Sequence, residues 1–526
     1  MTAVILLHKI LKIILYISIV AELCVFPSWE NVSGCVMTFF CWLIFDTYFL
    51  KSTVICKYPF AFLMFMSMFF YRFLPLPATL LEGKPITYGL QLPFYTFFFE
   101  TLLFIVSALA FRASFMRGRH DNLLQCLLKK GHFYENYPVS VVWAIGLVGL
   151  LVRLYTFSMG DIQYGNVLGK LLSGLTFLMY APIVLFFPRL YGNRNLQISD
   201  AMKTVLIGYV VMLILFGVAS NSREGLIAPF ALLVLLYFLQ VCNRKEPLVK
   251  YLSPVKIVVG GMVVYLLLGL LADLSTAMLY NRFFRSQVTK RELLARTMDT
   301  YEDKDLIVSL RRLAEREQSK KLVKYDEGWT ESYVNNFMLN RYCNIRITDQ
   351  TLYYAFQLSQ EDKKKMRTHF YNRAILSFPT PALDFMGIHL NKNDFDYSRG
   401  DLLYALARNE SIFPSYRVTS HLGDGLATFG YFYFVIQFLL FFLVFKLLNT
   451  LVYYFSNSNV YSLYGLISLF VFLGMFRNAN GCIDDLGYLL RGYWQGILIF
   501  GIVTYLVRMF LEIINKNNFS DSKHSF

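Results

Sequence analysis

The stretch "FPSYRVTSHLGDGLATFGYFYF" places Arg417, His421 and Asp424 within eight residues, where a long polar segment gives way to an apolar run. A neutral imidazole takes a proton from a hydroxyl, and a carboxylate can orient that imidazole or take the proton itself. If a helix already runs here, His421 and Asp424 share a face at a spacing of i, i+3. A histidine and an aspartate that merely cap a helix at an interface give the same pattern, and both readings stay open.

A second chemical signal is "SNSREG", residues 220–225, between two apolar runs. It is too short for anything but a tight turn, so Arg223 is expected near the N-terminus of the following helix, where free N–H groups and the helix dipole favour an anion. The alternative is an ordinary polar turn in which Glu224 neutralises Arg223. Other ionisable groups fall in or beside apolar runs: Glu22, Arg72, Glu100 and Arg153, then Arg477, Asp484, Asp485 and Arg491. Such groups are costly in lipid and mark function by default, unless they pair with each other or snorkel to the interface. The long polar segment adds Arg282 and Arg285 in "LYNRFFRS", Arg341 and Arg346 in "LNRYCNIR", Arg373 and Arg417. The planar fork of arginine suits bidentate recognition of phosphate. Taken as a set, cations at headgroup depth point to a phosphorylated lipid. Arg223 is the leading candidate to hold a pyrophosphate, with Arg341, Arg417, Arg153, Arg282 and Arg285 as further candidates.

These residues must be positioned by helices in lipid. The 526 residues are 56% hydrophobic and only 16% charged, and the mean hydropathy is +0.47, which is the composition of a polytopic membrane protein. Apolar stretches of about 20 residues, enough to cross a bilayer core, recur near residues 3–27, 32–50, 58–75, 92–111, 138–157, 167–187, 204–220, 225–242, 255–275, 424–446, 458–476 and 489–512. Their continuous apolarity, without strand-like alternation, predicts an all-α protein of about twelve transmembrane helices. Three parts follow: residues 1–275 with helices one to nine, a large and mainly helical segment over 276–422, and residues 423–526 with helices ten to twelve and a short tail. The first span carries His8, Lys9 and Lys12 and lacks a small-residue cleavage site, so it is expected to be a retained helix. In the polar segment, Ser359 with Asp362 predicts a helix start ahead of "KKKMRTHFYNRAIL", and "FPTPALDFMG" is expected to be a loop.

The formal net charge of +15 is explained by sidedness, without nucleic acid. With the N-terminus inside, alternate connections hold Lys51 and Lys57, then Arg112, Arg117, Arg119, Lys129 and Lys130, and later Arg189, Arg194, Lys203, Arg244, Lys245, Lys250 and Lys446. The opposite short connections are nearly free of basic residues. Both termini are therefore expected in the cytoplasm and residues 276–422 outside it, where there is no nucleotide triphosphate. The eight cysteines show no C-x-x-C and no zinc spacing, so no metal and no cofactor are expected. Cys343 and Cys482 both fall on the outer side, either as a disulfide or as two thiols.

The span pattern, the large segment between helices nine and ten, "SNSREGLI" after the seventh span, "SHLGDGLATFGY" at re-entry and "FFYRFLPLPATLLEGKPITYGLQLPF" around the third span together resemble bacterial O-antigen and oligosaccharide repeat-unit polymerases. More distantly they resemble O-antigen ligases. The resemblance implies a metal-independent glycosyltransferase of the bacterial inner membrane that joins undecaprenyl-pyrophosphate-linked units on its outer face to build O-antigen, capsule or exopolysaccharide. A membrane lipid, a chain-length regulator and a flippase are its implied partners. By position, Arg223 corresponds to the arginine of a Ser-Arg-Gly-like turn, His421 to the ligase histidine before the tenth span, and Gly423 with Asp424 to a Gly-acidic pair of the polymerases. Glu224 departs from the pattern, since a small residue is commoner there. Glycan ligation to another acceptor and non-catalytic polysaccharide transport remain as alternatives.

Overall fold

Backbone N–H and C=O groups find no partner in lipid, so an apolar run that enters it must close its hydrogen bonds within a helix. The computed structural model of the chain describes residues 3–115, 122–158, 167–193, 195–220, 222–244, 273–274, 276–281, 284, 288–320, 324–378, 380–388, 392–395, 397–455, 458–476 and 480–521. Among them, eight helices are long and apolar enough to cross a membrane: Ala3–Val25, Trp29–Phe49, Pro93–Ala113, Val139–Phe157, Asp200–Ala219, Glu224–Arg244, His421–Asn449 and Cys482–Ile514. Pro59–Phe73 and Pro75–Leu81 form a further, bent pair, with 45° between its halves. The bend falls at Pro75, which has no N–H to donate and whose ring crowds the carbonyl four residues back. The protein is a helical membrane protein.

Two expected spans look different, and a third is almost wholly undescribed. Residues 255–272 and 275 lie outside the described residues. Over 167–187, the helix Val167–Leu175 tightens into a 3-10 stretch, Thr176–Phe186, that contains Pro182. Over 458–476 there is no continuous helix: the antiparallel strands Val452–Phe455 and Ser458–Tyr461 lead into two five-residue helices, Leu463–Ile467 and Leu469–Leu473, broken at Ser468.

Described residues of the 276–422 segment form the helices Lys290–Glu302, Lys304–Lys320, Phe337–Cys343, Ile345–Gln357, Gln360–Leu376, Thr380–Phe385 and Arg399–Arg408. Ser359 caps its helix as the sequence predicts, its hydroxyl accepting from the Asp362 N–H at 3.1 Å. "FPTPALDFMG" is only partly a loop, because Thr380–Phe385 is helical and Pro381 occupies a first-turn position that needs no donor.

The segment is keyed into the bundle. Every residue from Ile345 to Leu352 is buried, and this helix lies against Pro93–Ala113 and His421–Phe429. Its Asp349 carboxylate accepts from the Gln91 and Leu92 N–H groups at 2.6 and 2.9 Å, from Thr96 Oγ1 at 2.8 Å and from the Tyr325 hydroxyl at 2.6 Å. A polar helix thereby supplies the anion that the N-terminus of a spanning helix favours. Cys343 and Cys482 are both buried free thiols, and Cys482 Sγ donates to Gln437 Oε1, so the disulfide alternative falls away.

Close helix crossings depend on missing side chains. Where Val139–Ser158 meets Thr176–Phe186, a Cβ on Gly149 would stand 2.2 Å from the Met179 backbone nitrogen, whereas one on Gly208 would meet nothing within 4 Å. Gly149→Ala should lower the thermal unfolding midpoint of the detergent-solubilised protein. Gly208→Ala should leave it unchanged or raise it, since alanine favours a helix by about 1 kcal/mol over glycine. Equal behaviour of the two variants would contradict the crossing.

Candidate functional site

The helix His421–Phe429 begins at His421 because Ser420 caps it: the Ser420 hydroxyl accepts from the Gly423 N–H at 2.9 Å. Ser420 Oγ also lies 2.6 Å from Thr351 Oγ1 on the buried helix of the polar segment. Gly423 allows that contact, since a Cβ there would stand 2.2 Å from Thr351 Cβ. His421 and Asp424 are thus separated by three residues on one helix, yet they serve different neighbours.

His421 is 2% exposed, and its ring stacks on Phe476 with centroids 4.8 Å apart and planes within 9°. Both ring nitrogens lack a hydrogen-bond partner. The carboxylate nearest to it is that of Asp485, whose Oδ2 is 3.7 Å from Nδ1 and accepts from Gln437 Nε2 at 2.7 Å. The Phe476 carbonyl accepts from Ser67 Oγ at 2.9 Å, and the Phe476 ring also faces the Arg72 guanidinium at 5.4 Å. Arg72 in turn is fully buried and paired with Glu100 at 2.7 Å, while Glu100 Oε1 accepts from Thr348 Oγ1 at 2.7 Å.

Asp424 belongs to a second cluster. Its Oδ1 accepts from Arg399 Nε at 2.7 Å, and its Oδ2 has no partner. Arg399 also donates to the Met366 carbonyl at 2.9 Å, to Thr428 Oγ1 and to His369 Nδ1 at 3.2 Å. The arrangement joins a buried imidazole, a carboxylate 3.7 Å from it, and two buried guanidinium groups held by carboxylates.

Among the described residues, no expected phosphate-binding arginine makes a contact with His421. Arg417 donates to Asp401 Oδ1 at 3.0 Å and covers the Tyr404 ring at 4.2 Å. Arg341 is exposed near the end of Phe337–Cys343. Arg153 Nη2 donates to Ser220 Oγ at 3.0 Å, which fastens it to the short turn before Arg223. Arg223 opens its helix as expected, and Ser222 caps it by accepting from the Gly225 N–H at 3.1 Å. The Arg223 side chain, Arg282, Arg285 and Arg477 lie outside the described residues.

Sequence reasoning missed Arg399 and His369. A signal was present in "SRGD": Ser398 and Asp401 form a capping box, which starts a helix and sets Arg399 at its first turn. Its partner Asp424 lies 25 residues away on a different helix, and that pairing had no local signature.

The chain matches no protein-family model, no curated protein and no solved structure.

His369 is 4% exposed, and burial, with Arg399 and Arg373 nearby, pushes its pKa from the ordinary 6.5 down to about 3. Between those values an unfolded chain binds a proton that the folded one refuses, so acidification from neutral pH towards about pH 4 should destabilise the fold. His369→Gln keeps an acceptor for Arg399 without titrating. Its unfolding midpoint should fall less steeply than the wild type's over that range, and parallel curves would contradict the assignment.

Proposed function

We propose that the protein polymerises undecaprenyl-pyrophosphate-linked oligosaccharide units into a surface polysaccharide on the outer face of a bacterial inner membrane. The observation that carries this reading is His421: a buried imidazole with two unpartnered nitrogens, 3.7 Å from a carboxylate, beneath the polar segment. Its resemblance to the histidine before the tenth span of O-antigen ligases supports the same assignment.

In this reading the growing chain on undecaprenyl pyrophosphate is the donor, and its pyrophosphate is the leaving group. The acceptor hydroxyl of an incoming unit loses its proton to His421 Nδ1 or Nε2, and its oxygen attacks the anomeric carbon. The bond from that carbon to the pyrophosphate oxygen breaks, so a single displacement inverts the anomeric centre. Asp485 stabilises the imidazolium, and Gln437 orients that carboxylate. His421 is the better base of the original pair, because one oxygen of Asp424 is already tied to Arg399. Arg223 at the head of its helix, with Arg153 fastened to the same turn, is assigned to the leaving group. Preorganised charge of this kind is the largest contribution in many enzymes.

A polymerase uses a purified lipid-linked unit as donor and acceptor at once, whereas a ligase needs a second acceptor. Incubation with that unit alone should yield dimers and longer chains. His421→Gln and Arg223→Ala should each reduce the rate by roughly a hundredfold or more and leave single units accumulating in cells at unchanged expression. Normal polymer from either variant would remove that residue from the mechanism, and no elongation by the wild type would remove the polymerase reading.

A further inference from the structure

At the opposite end of the bundle, a cavity of about 870 Å³ opens where the helices Ser52–Lys57, Pro93–Ala113 and Tyr433–Asn449 end. It lies some distance from the candidate active site. Arg112 is twelve residues beyond Glu100 on one helix, or about 18 Å at 1.5 Å per residue. The cavity's volume is in the range of small-molecule sites.

Three cations line it: Lys57, Arg112 and Lys446. Each is braced on an aromatic ring, Lys57 at 5.3 Å from Tyr58 and 5.5 Å from Tyr454, Arg112 at 5.1 Å from Phe115, and Lys446 at 5.5 Å from Phe442. Among the described residues none of the three forms an ion pair, and no acidic side chain lines the cavity. Lys57 is not spent on closing its helix, because Asn459 and Tyr461 of the strand pair donate to the Cys56 carbonyl and Tyr454 donates to the carbonyl of Lys57. Like charges in one recess repel, so a persistent arrangement of three calls for a counter-charge.

The wall indicates which anion. Leu109 and Phe442 lie one turn further into the span than Arg112 and Lys446, and Leu109 is 58% exposed on the bundle's lipid-facing side. An occupant therefore meets cations at the helix ends and an apolar surface directly below. A dissolved phosphate has no use for that surface, whereas a phospholipid places its phosphate and its acyl chains at those two levels.

We propose that this recess binds the headgroup of an anionic phospholipid, with Lys57, Arg112 and Lys446 around the phosphate and the acyl chain along Leu109 and Phe442. The site is separate from the candidate active centre and does not depend on the reaction assigned there.

The protein is reconstituted in phosphatidylcholine nanodiscs with or without phosphatidylglycerol, and lipids retained after transfer to detergent are identified by native mass spectrometry. The wild type should retain phosphatidylglycerol over phosphatidylcholine. Arg112→Gln/Lys446→Gln, at two exposed positions, should lose that preference by roughly tenfold to thirtyfold. Arg112→Lys/Lys446→Arg should keep it, which separates charge from fold. Equal retention of the two lipids by the wild type, or an unchanged preference in the glutamine variant, would overturn the proposal. Displacement of phosphatidylglycerol by millimolar inorganic phosphate would also overturn it, by assigning the recess to a dissolved anion.

Discussion

Arg72 is wholly enclosed just before the bend at Pro75, where no water can hydrate its charge, and Glu100 stands against it at 2.7 Å. Removing one partner of such a pair costs about 3–5 kcal/mol, because the other is left buried and uncompensated. The pair also needs its remaining hydrogen bonds filled. Arg72 donates to the Glu100 and Met68 carbonyls, and Glu100 accepts from Thr348 of the polar segment. Thr348 is one residue from Asp349, which holds the N-terminus of the same spanning helix. Two adjacent residues of a polar helix therefore answer two needs of the bundle, and the polar segment is part of the structure of that bundle.

From this tie the site geometry follows. Arg72 faces the ring of Phe476, Phe476 carries His421, and Thr351, three residues beyond Thr348, meets the cap of the His421 helix. Around His421 the polar groups are largely committed: Asp485 to Gln437, Arg399 to Asp424, Gln437 to Cys482. The two ring nitrogens of His421 are among several buried polar atoms here without a hydrogen-bond partner, with Asp424 Oδ2 and the Tyr433 hydroxyl, and such a group costs about 1–3 kcal/mol. Native proteins keep few such groups, and each asks for a reason. Transfer of a proton to and from a substrate hydroxyl is one.

The helices were legible because lipid imposes a single solution on a long apolar run, and eight of the expected spans have a long apolar helix in the structure. Span continuity was less legible. Apolarity over 458–476 does not reveal that Ser468 breaks the helix or that a strand precedes it, and Pro182 within 167–187 was the visible warning of a tightened stretch. The local part of the site was legible in part: a helix shared by His421 and Asp424 was one of two open readings, and the Ser420 cap that starts it at His421 was not read. Its partners could not be read. Asp485 and Phe476 reach His421 through tertiary contacts, and no spacing along the chain encodes a pairing across 64 residues.

The ion pairs also bear on which cations could hold a pyrophosphate under the proposed reading. A guanidinium already matched by a carboxylate offers little net field, and this weakens the case for Arg72, Arg399 and Arg417, which face Glu100, Asp424 and Asp401. Arg153 differs, because its described partner is the neutral hydroxyl of Ser220 and its charge is retained. It is fixed to a turn whose next helix opens with Arg223, where backbone N–H groups already favour an anion. The Ser222 cap takes up one of those donors and leaves others in the first turn. Charge that is positioned but not neutralised is what a leaving pyrophosphate requires, and of the arginines whose side chains are described, Arg153 at this turn meets both conditions.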